Sequence, residues 1–249
     1  MLIIDVKYTV KPGMRQDFYN AIMNNGIAEA SRGEKGNHKY AYSFPKDQAD
    51  VLELREIWED AETQKAHTET DNFRKLGKLK ETFVLSTELH KLTARLATPD
   101  DLGRVAEIEA EAFPPSEAAS LEKYTWRLAH YPEYFFVGEQ DDTIEAVVDI
   151  IPTARDVIKD DIFEMDELPA GKNAAVLTVM TSADCRRQGM AGQLLSYAID
   201  EMKAMGMTEA CLTCKDRLIH YYAKFGFEKV GVSESVHGGA IWYDMVRKL

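Results

Sequence analysis

Cys185-Arg186-Arg187-Gln188-Gly189-Met190-Ala191-Gly192-Gln193-Leu194-Leu195 is the stretch that decides the fold. The apolar run Ala174-Ala175-Val176-Leu177-Thr178-Val179-Met180 precedes it and reads as a buried strand. Leu194, Leu195, Ala198, Ile199 and Met202 follow at helical spacing and define one apolar face. A strand that enters a Gly-containing turn and then a helix leaves several backbone N–H groups unpaired at the helix start, where the dipole is positive. Such a spot suits phosphate oxygens. Gly189 and Ala191 keep side chains small there, and Arg186 and Arg187 bring guanidinium groups beside it. No Gly-Lys-Ser/Thr follows the loop, nor is it a Gly-x-Gly-x-x-Gly, so neither a P-loop nor a dinucleotide fingerprint accounts for it. On this stretch alone, an ordinary strand-to-helix turn with surface arginines is as good a reading. A second signal has to come from downstream.

The whole chain bounds the options. With 249 residues it is long for one domain and comfortable for two. Hydrophobic residues at 45% suffice for packed cores. A net charge of −12 argues against nucleic acid or an anionic membrane as partner, and makes the local Arg186-Arg187 pair conspicuous. No apolar run is long enough to span a bilayer and the first residues do not read as a secretory signal, so a cytoplasmic location is expected. Cys211 and Cys214 form a Cys-x-x-Cys that invites a redox or zinc reading. They fall in Ala210-Cys211-Leu212-Thr213-Cys214, which reads as a strand. Residues three apart on a strand face opposite ways with Cα atoms about 10 Å apart, whereas a disulfide needs less than about 7 Å. Structural thiols are the expectation.

Residues 1–92 read as a self-contained α+β unit. Ile4, Val6, Tyr8 and Val10 alternate with Asp5, Lys7 and Thr9, as in a strand with one buried face. Pro12-Gly13 ends it, and a helix carrying Met14, Phe18, Ala21 and Ile22 follows. Gly33 and Gly36 turn the chain into a second strand with His38, Tyr40, Tyr42 and Phe44 on one face. After Pro45-Lys46-Asp47 a third strand carries Leu52, Leu54, Glu56 and Trp58. Ala61 to Leu79 reads as helix interrupted around Thr70-Asp71, and Glu81 to Leu89 as a last strand. The order β-α-β-β-α-β is the ferredoxin-like arrangement. Within it, Glu56-Ile57-Trp58-Glu59 followed by Ala66-His67 resembles the antibiotic-biosynthesis monooxygenase (ABM) family. That family forms dimeric α+β barrels and includes cofactor-free quinol oxidases and haem-degrading enzymes. The chain departs from the pattern at Asn72, where members often carry a second histidine, and at Lys7, where haem-degrading relatives carry asparagine. Trp58 is expected in the core and His67 on the helix surface or at an interface. A sheet with one open apolar face is buried most simply by a second copy of itself, so a homodimer through this domain is expected.

His90-Lys91-Leu92 reads as a short join, and Ala94-Arg95-Leu96 as a strand. Thr98-Pro99-Asp100-Asp101 is a helix start, with Thr98 as N-cap, proline at the first helical position and acids in the first turn. That helix is expected to end near Ala112, before Phe113-Pro114-Pro115. Ser116 is read as the cap of the next helix, to about His130, with Glu117 in its first turn. Tyr134 to Val137 and Ile144 to Ile151 read as strands, and Asp156 to Glu167 as a partly helical acidic excursion. The second signal is Leu218-Ile219-His220-Tyr221-Tyr222-Ala223-Lys224-Phe225-Gly226-Phe227, a short helix closed by Gly226 before a new strand. Arg186-x-x-Gly189-x-Ala191 and this aromatic-Tyr motif, about 30 residues later, together resemble the GNAT acetyltransferase superfamily over residues 93–249. Phe113-Pro114-Pro115-Ser116-Glu117-Ala118-Ala119 and His237-Gly238-Gly239-Ala240-Ile241-Trp242-Tyr243 look like its arylalkylamine N-acetyltransferase branch.

The expected fold is therefore α+β. A ferredoxin-like dimeric α+β barrel domain spans residues 1–92, and a GNAT-fold domain with a mixed, splayed central sheet spans 93–249. The resemblance implies acetyl-CoA as cosubstrate, its diphosphate on Arg186, Arg187, Gln188, Gly189, Met190, Ala191 and Gly192. It puts the pantetheine arm along Val179, Met180 and Thr181, and makes Tyr222, also in contact with the cosubstrate, the general acid for the leaving thiolate. The implied acceptor is a small, arylalkyl-type amine. A free alkylamine has a pKa near 10.4, so its reactive form costs about 4 kcal/mol to populate at neutral pH. Positioning and a base recover part of that. Vertebrate-type members of the branch use two histidines whose matching positions here are Ala175 and Leu177, which hold no proton. Glu117 is the candidate base and His237 the second choice. Packing aromatics at Tyr221 and Tyr222, and a dipole-complementing charge at Glu117, are the plain structural readings. Two other functions fit the same residues: a bifunctional protein with an active cofactor-free monooxygenase domain, and a non-catalytic protein that binds CoA or a small molecule.

Overall fold

A computed structural model describes residues 1–163 and 171–249, and the chain divides into two units, Met1–Thr93 and Ala94–Leu249. In the first, β1 (Leu2–Val10) turns Ile4, Val6, Tyr8 and Val10 to one buried face. The helices α1 (Arg15–Asn24) and α2 (Ile27–Arg32) follow, then β2 (Asn37–Ser43), β3 (Val51–Trp58), α3 (Ala61–Thr68), α4 (Asp71–Phe83) and β4 (Val84–Leu96). The strands run in the order β2-β3-β1-β4, and each neighbouring pair is antiparallel. Phe18 and Ile22 of α1, Ile27 of α2 and Leu76 of α4 close the core over Val6, Tyr8, Leu52, Leu54 and Trp58.

Five readings of this unit need correction. The short helix α2 was not foreseen, because six residues give too little periodicity to register. β4 begins at Val84, since α4 runs on to Phe83, through the first three residues of the expected last strand. His90-Lys91-Leu92 is no loop but lies inside β4, whose residues Ser86–Thr93 pair with β1. The apolar face of the sheet is covered by the unit's own helices, while the opposite face carries Asp5, Lys7, Lys39, Glu53 and Arg55, with Arg55 bidentate on Asp5 at 2.6 and 2.7 Å.

His67 is likewise not at the surface: it is 1% exposed, its ring 4.8 Å from that of Trp58. Its Nδ1 lies 2.8 Å from Glu34 Oε2. Trp58 Nε1 donates to Glu56 Oε2 at 2.8 Å, and burial pushes that carboxyl up. The usual exposure of a helical histidine could not show that α3 turns this face inward.

The second unit opens with one 3₁₀ turn, Pro99–Asp101, capped by Thr98, leading into α5 (Leu102–Ala112). Asp101 also holds Arg95, which reaches Glu139. Then come α6 (Leu121–His130), β5 (Phe135–Gln140), β6 (Thr143–Thr153), β7 (Asn173–Thr181), α7 (Met190–Ala204), β8 (Glu209–Cys214), α8 (Ile219–Ala223), β9 (Glu228–Val232) and β10 (Tyr243–Lys248). Their strand order is β5-β6-β7-β8-β10-β9, with β7 and β8 parallel and the others antiparallel. Val105 and Ile108 of α5, with Tyr124 and Leu128 of α6, cover one face through Phe135, Val137, Val147 and Met180. On the other face α7 packs against β5, β6 and β7 with Leu194, Leu195, Ala198, Ile199 and Met202 buried. Asp160–Phe163 form a 3₁₀ turn, and residues 164–167 of the expected acidic excursion lie outside the described residues. Among the described residues no helix is long and apolar enough to cross a membrane.

Two buried charges span the core of this unit. Arg127, on the inward face of α6, donates to Asp149 of β6 at 2.7 Å, with side chains 5% and 1% exposed. Burial pushes the Asp149 carboxyl up, and Arg127 opposes that. Removing one partner strands the other charge in the interior, at about 3–5 kcal/mol. Arg127→Ala is therefore expected to lower stability by that much in urea unfolding. The double replacement Arg127→Met with Asp149→Leu is expected to cost far less.

Candidate active site

The site begins where β7 and β8 stop pairing. Their ladder has three rungs, Asn173↔Glu209, Ala174↔Ala210 and Ala175↔Cys211. Beyond Ala175 only β6 still holds β7, and there the register slips so that Leu177 has no partner between Thr178↔Asp149 and Val176↔Ile150. A bulge of this kind bends a strand and sharpens its twist. The two strands part, and a cavity of about 120 Å³ opens between them. Val176, Leu177, Thr178 and Val179 form one wall; Leu212, Thr213 and Cys214 form the other.

Below the parting lies the loop that leads into α7. Ala183–Cys185 make a 3₁₀ turn, Arg187 takes a left-handed φ of 63°, and Gly189 is the N-cap at φ 90°. The requirement at Gly189 is conformational, since a Cβ there would meet nothing within 4 Å but would be strained by the backbone. Arg186 is fastened by Nη2 to the carbonyl of Glu111 at the end of α5, 2.6 Å away, and Ala183 N donates to the Glu111 carboxylate. Arg187 is exposed, and the Gln188 amide folds back onto Asp184 O. Met190 is buried, while Gly192 leaves room for Phe225, whose ring would stand 2.8 Å from a Cβ there. Of the expected pantetheine residues, Val179 lines the cavity, Thr181 pairs with Ala146, and the Met180 side chain belongs to the α5–α6 core.

Tyr222 reaches the cavity from α8, and its phenol pKa is raised by burial and by the neighbouring Tyr221 and Cys214. Tyr221 turns away to Phe225, ring centres 5.1 Å apart. Cys214 faces the cavity with its thiol pushed up to about 11 by burial, and Cys211 is buried with its own at about 12; both are free thiols.

The far wall comes from the Phe113–Ala119 corner and the loop before β10. Here a second helix reading is corrected: α6 starts at Leu121 under Ser120, which accepts from Lys123 N, so Ser116 caps nothing and Glu117 sits in a turn instead of a first helical turn. Two prolines and no apolar period hold those residues outside the helix. Lys215 Nζ lies 2.7 Å from Glu117 Oε1 and 5.5 Å over the Trp242 ring. His237 donates from Nε2 to Glu117 O at 3.0 Å, and Trp242 Nε1 donates to His237 O. Gly238 makes this closure possible, with a φ of 61° and a Cβ position only 2.4 Å from Glu117 Cγ. Phe113, Phe163, His237 and Trp242 give this end of the cavity an aromatic lining.

One cavity carboxylate was not foreseen. Glu109, on the inward face of α5 and 3% exposed, accepts from Ala119 N and from Tyr124 Oη, both at 2.7 Å. Tyr124 Oη is also 3.2 Å from Thr178 Oγ1. Burial pushes the Glu109 carboxyl up. The signal was available: Val105, Ile108, Glu109 and Ala112 share one helical stripe, and a carboxylate in an apolar stripe is unusual enough to mark.

Comparison with known proteins places this architecture. The solved structure of the GphF GNAT-like decarboxylase in complex with isobutyryl-CoA is similar at TM-score 0.55 and 16% identity, over 63% of this chain and 98% of that one. The loading GNATL domain of CurA from Lyngbya majuscula gives 0.52 and 12%, over 63% and 97%. Ard1 from Thermoplasma volcanium gives 0.51 and 17%, over 64% and 97%. At such identities these likenesses speak to the fold. No curated protein matches the chain. The model of the antibiotic biosynthesis monooxygenase family matches residues 1–78, in keeping with the ferredoxin-like first unit. The model of the acetyltransferase (GNAT) domain matches residues 93–230, more than half of the chain, and with its parted β7 and β8 over a Gly-capped α7 this protein belongs to the GNAT acetyltransferase family.

Proposed function

We propose that the protein is an N-acetyltransferase that moves the acetyl group of acetyl-CoA to a small amine. The observation that carries this is the three-rung ladder between β7 and β8, which opens a cavity lined by Tyr222 directly above the α7 loop. Backbone groups of β7 released from pairing need other partners, and a pantetheine amide chain supplies donors and acceptors at that spacing. The amides at the α7 start and Arg187 suit the diphosphate. Isobutyryl-CoA in the GphF structure supports an acyl-CoA donor on this fold. The aromatic end of the cavity suits an arylalkyl amine, with Glu117 and Glu109 as its two carboxylates.

In the reaction the amine must be neutral to attack the thioester carbonyl, so a carboxylate takes its proton. The C–N bond forms, the C–S bond breaks, the thiolate takes the phenolic proton of Tyr222, and the phenolate takes back the surplus proton of the acylated nitrogen. A phenol whose pKa burial has raised stays protonated until that moment.

A homodimer through the first unit completes the reading. Leu85 and Leu89 of β4 are 63% and 50% exposed on the last strand of that unit's sheet, and a second copy would cover them.

Three measurements test this. Tyr222→Phe is expected to lower kcat by about 10²- to 10⁴-fold with acetyl-CoA affinity unchanged, while Tyr221→Phe loses little. Equal turnover of the two variants returns Tyr222 to a packing role. Gly189→Ala strains a left-handed residue by about 1–2 kcal/mol and displaces the α7 amides. A roughly tenfold loss of acetyl-CoA affinity is expected by calorimetry, and an unchanged Kd removes the loop from the donor site. Leu85→Glu with Leu89→Glu is expected to give a monomer by light scattering; a persistent dimer assigns the interface elsewhere.

A further inference from the structure

We propose that Glu109, and not Glu117, takes the proton from the incoming ammonium; the inference rests on the amine-acetyltransferase reading above. Three observations single it out. First, its carboxylate lines the cavity from α5 beside Thr178 of β7, one residue from Val179 on the wall where the thioester is proposed to lie. Second, among the described residues it is the cavity carboxylate with no cation upon it. Arg127 is committed to Asp149, and Lys215 to Glu117. Third, it is rigid: the Ala119 amide holds one oxygen and the Tyr124 hydroxyl the other, leaving lone pairs on both for a substrate proton.

The contrast with Glu117 is one of availability. To accept a proton Glu117 must release Lys215, and His237 spends Nε2 on the Glu117 carbonyl. Glu109 has only neutral donors to satisfy, and burial keeps its affinity for a proton above that of an ordinary carboxyl. The groups that set that affinity are all in view. Arg127 of α6 lowers it and Asp149 of β6 raises it, while the Ala119 N–H and the Tyr124 hydroxyl lower it. Lys123 of α6, Glu117, His237, Cys214 and Tyr222 share the cavity.

The step balances. The ammonium passes one proton to Glu109, and the neutral amine attacks the thioester carbonyl. As the C–S bond breaks, Tyr222 protonates the thiolate and recovers its proton from the acylated nitrogen. The products are the N-acetyl amine, the CoA thiol and a protonated Glu109, which returns its proton to solvent. A buried, uncompensated carboxylate also favours a cationic acceptor at the cavity mouth over a neutral alcohol.

The test is a pH–rate profile on the full chain, following CoA release across a panel of primary amines of different pKa. An enzyme base gives an acidic limb in kcat that stays in place from amine to amine; a limb that moves with the amine's own pKa overturns the proposal. Glu109→Gln is expected to lose about 10²- to 10⁴-fold in kcat at neutral pH and to recover as the pH approaches about 10, where solution supplies the neutral amine. Glu117→Gln should keep the limb. Tyr124→Phe removes a donor to the carboxylate and so should move the limb to higher pH, a shift that a merely structural Glu109 would not produce. Full activity in Glu109→Gln, or loss of the limb in Glu117→Gln alone, assigns the base elsewhere. Wild-type protein that binds acetyl-CoA but acetylates no amine overturns the transferase reading, and this one with it.

Discussion

The parting of β7 and β8 is the constraint on which the second unit turns. Parallel strands with three shared rungs cannot satisfy the backbone groups beyond Ala175, and buried peptide groups without partners are costly. The bulge at Leu177 fixes where the separation starts, and β6 holds β7 through Thr181 so that the wall does not collapse. The candidate site is then placed around that opening: α7 below it, α8 bringing Tyr222 to the cavity wall and α5 bringing Glu109. The same geometry keeps Cys211 and Cys214 apart in role, one closed in the core and one against the cavity, both held protonated by burial.

Polar groups in an apolar interior need partners, and their distribution in this unit separates structure from chemistry. Arg127 and Asp149 compensate each other fully and brace α6 on β6. Glu117 and Lys215 do the same at the cavity rim, where Gly238 lets the chain come close enough to close the wall. Glu109 alone among these carboxylates is held by neutral donors, the Ala119 amide and the Tyr124 hydroxyl.

The first unit uses the same materials for another end. Glu56, Trp58, His67 and Glu34 form a buried polar cluster below the aromatic packing of Tyr8, Tyr40 and Tyr42. The face of the sheet away from the helices is laced with ion pairs such as Asp5–Arg55 and carries no apolar expanse in that region. The most exposed large apolar residues of this unit are Leu85 and Leu89 of β4, at 63% and 50%.

The sequence by itself determined the order of elements, the buried faces of β1 and α7, and the two motifs around Gly189 and Tyr222. Each of these is local, written in a period of two or 3.6 residues or in a single left-handed position. It also held traces of more: Glu109, Arg127 and Asp149 all stand in apolar stripes, a pattern legible residue by residue but easily passed over. The tertiary structure alone decided the rest. Whether His67 faces water depends on how α3 is rolled against Trp58; whether Glu117 is free depends on Lys215, nearly a hundred residues away. Which carboxylate is left without a cation is a matter of which charges the folded chain brings within contact, and no spacing along the sequence carries that distance.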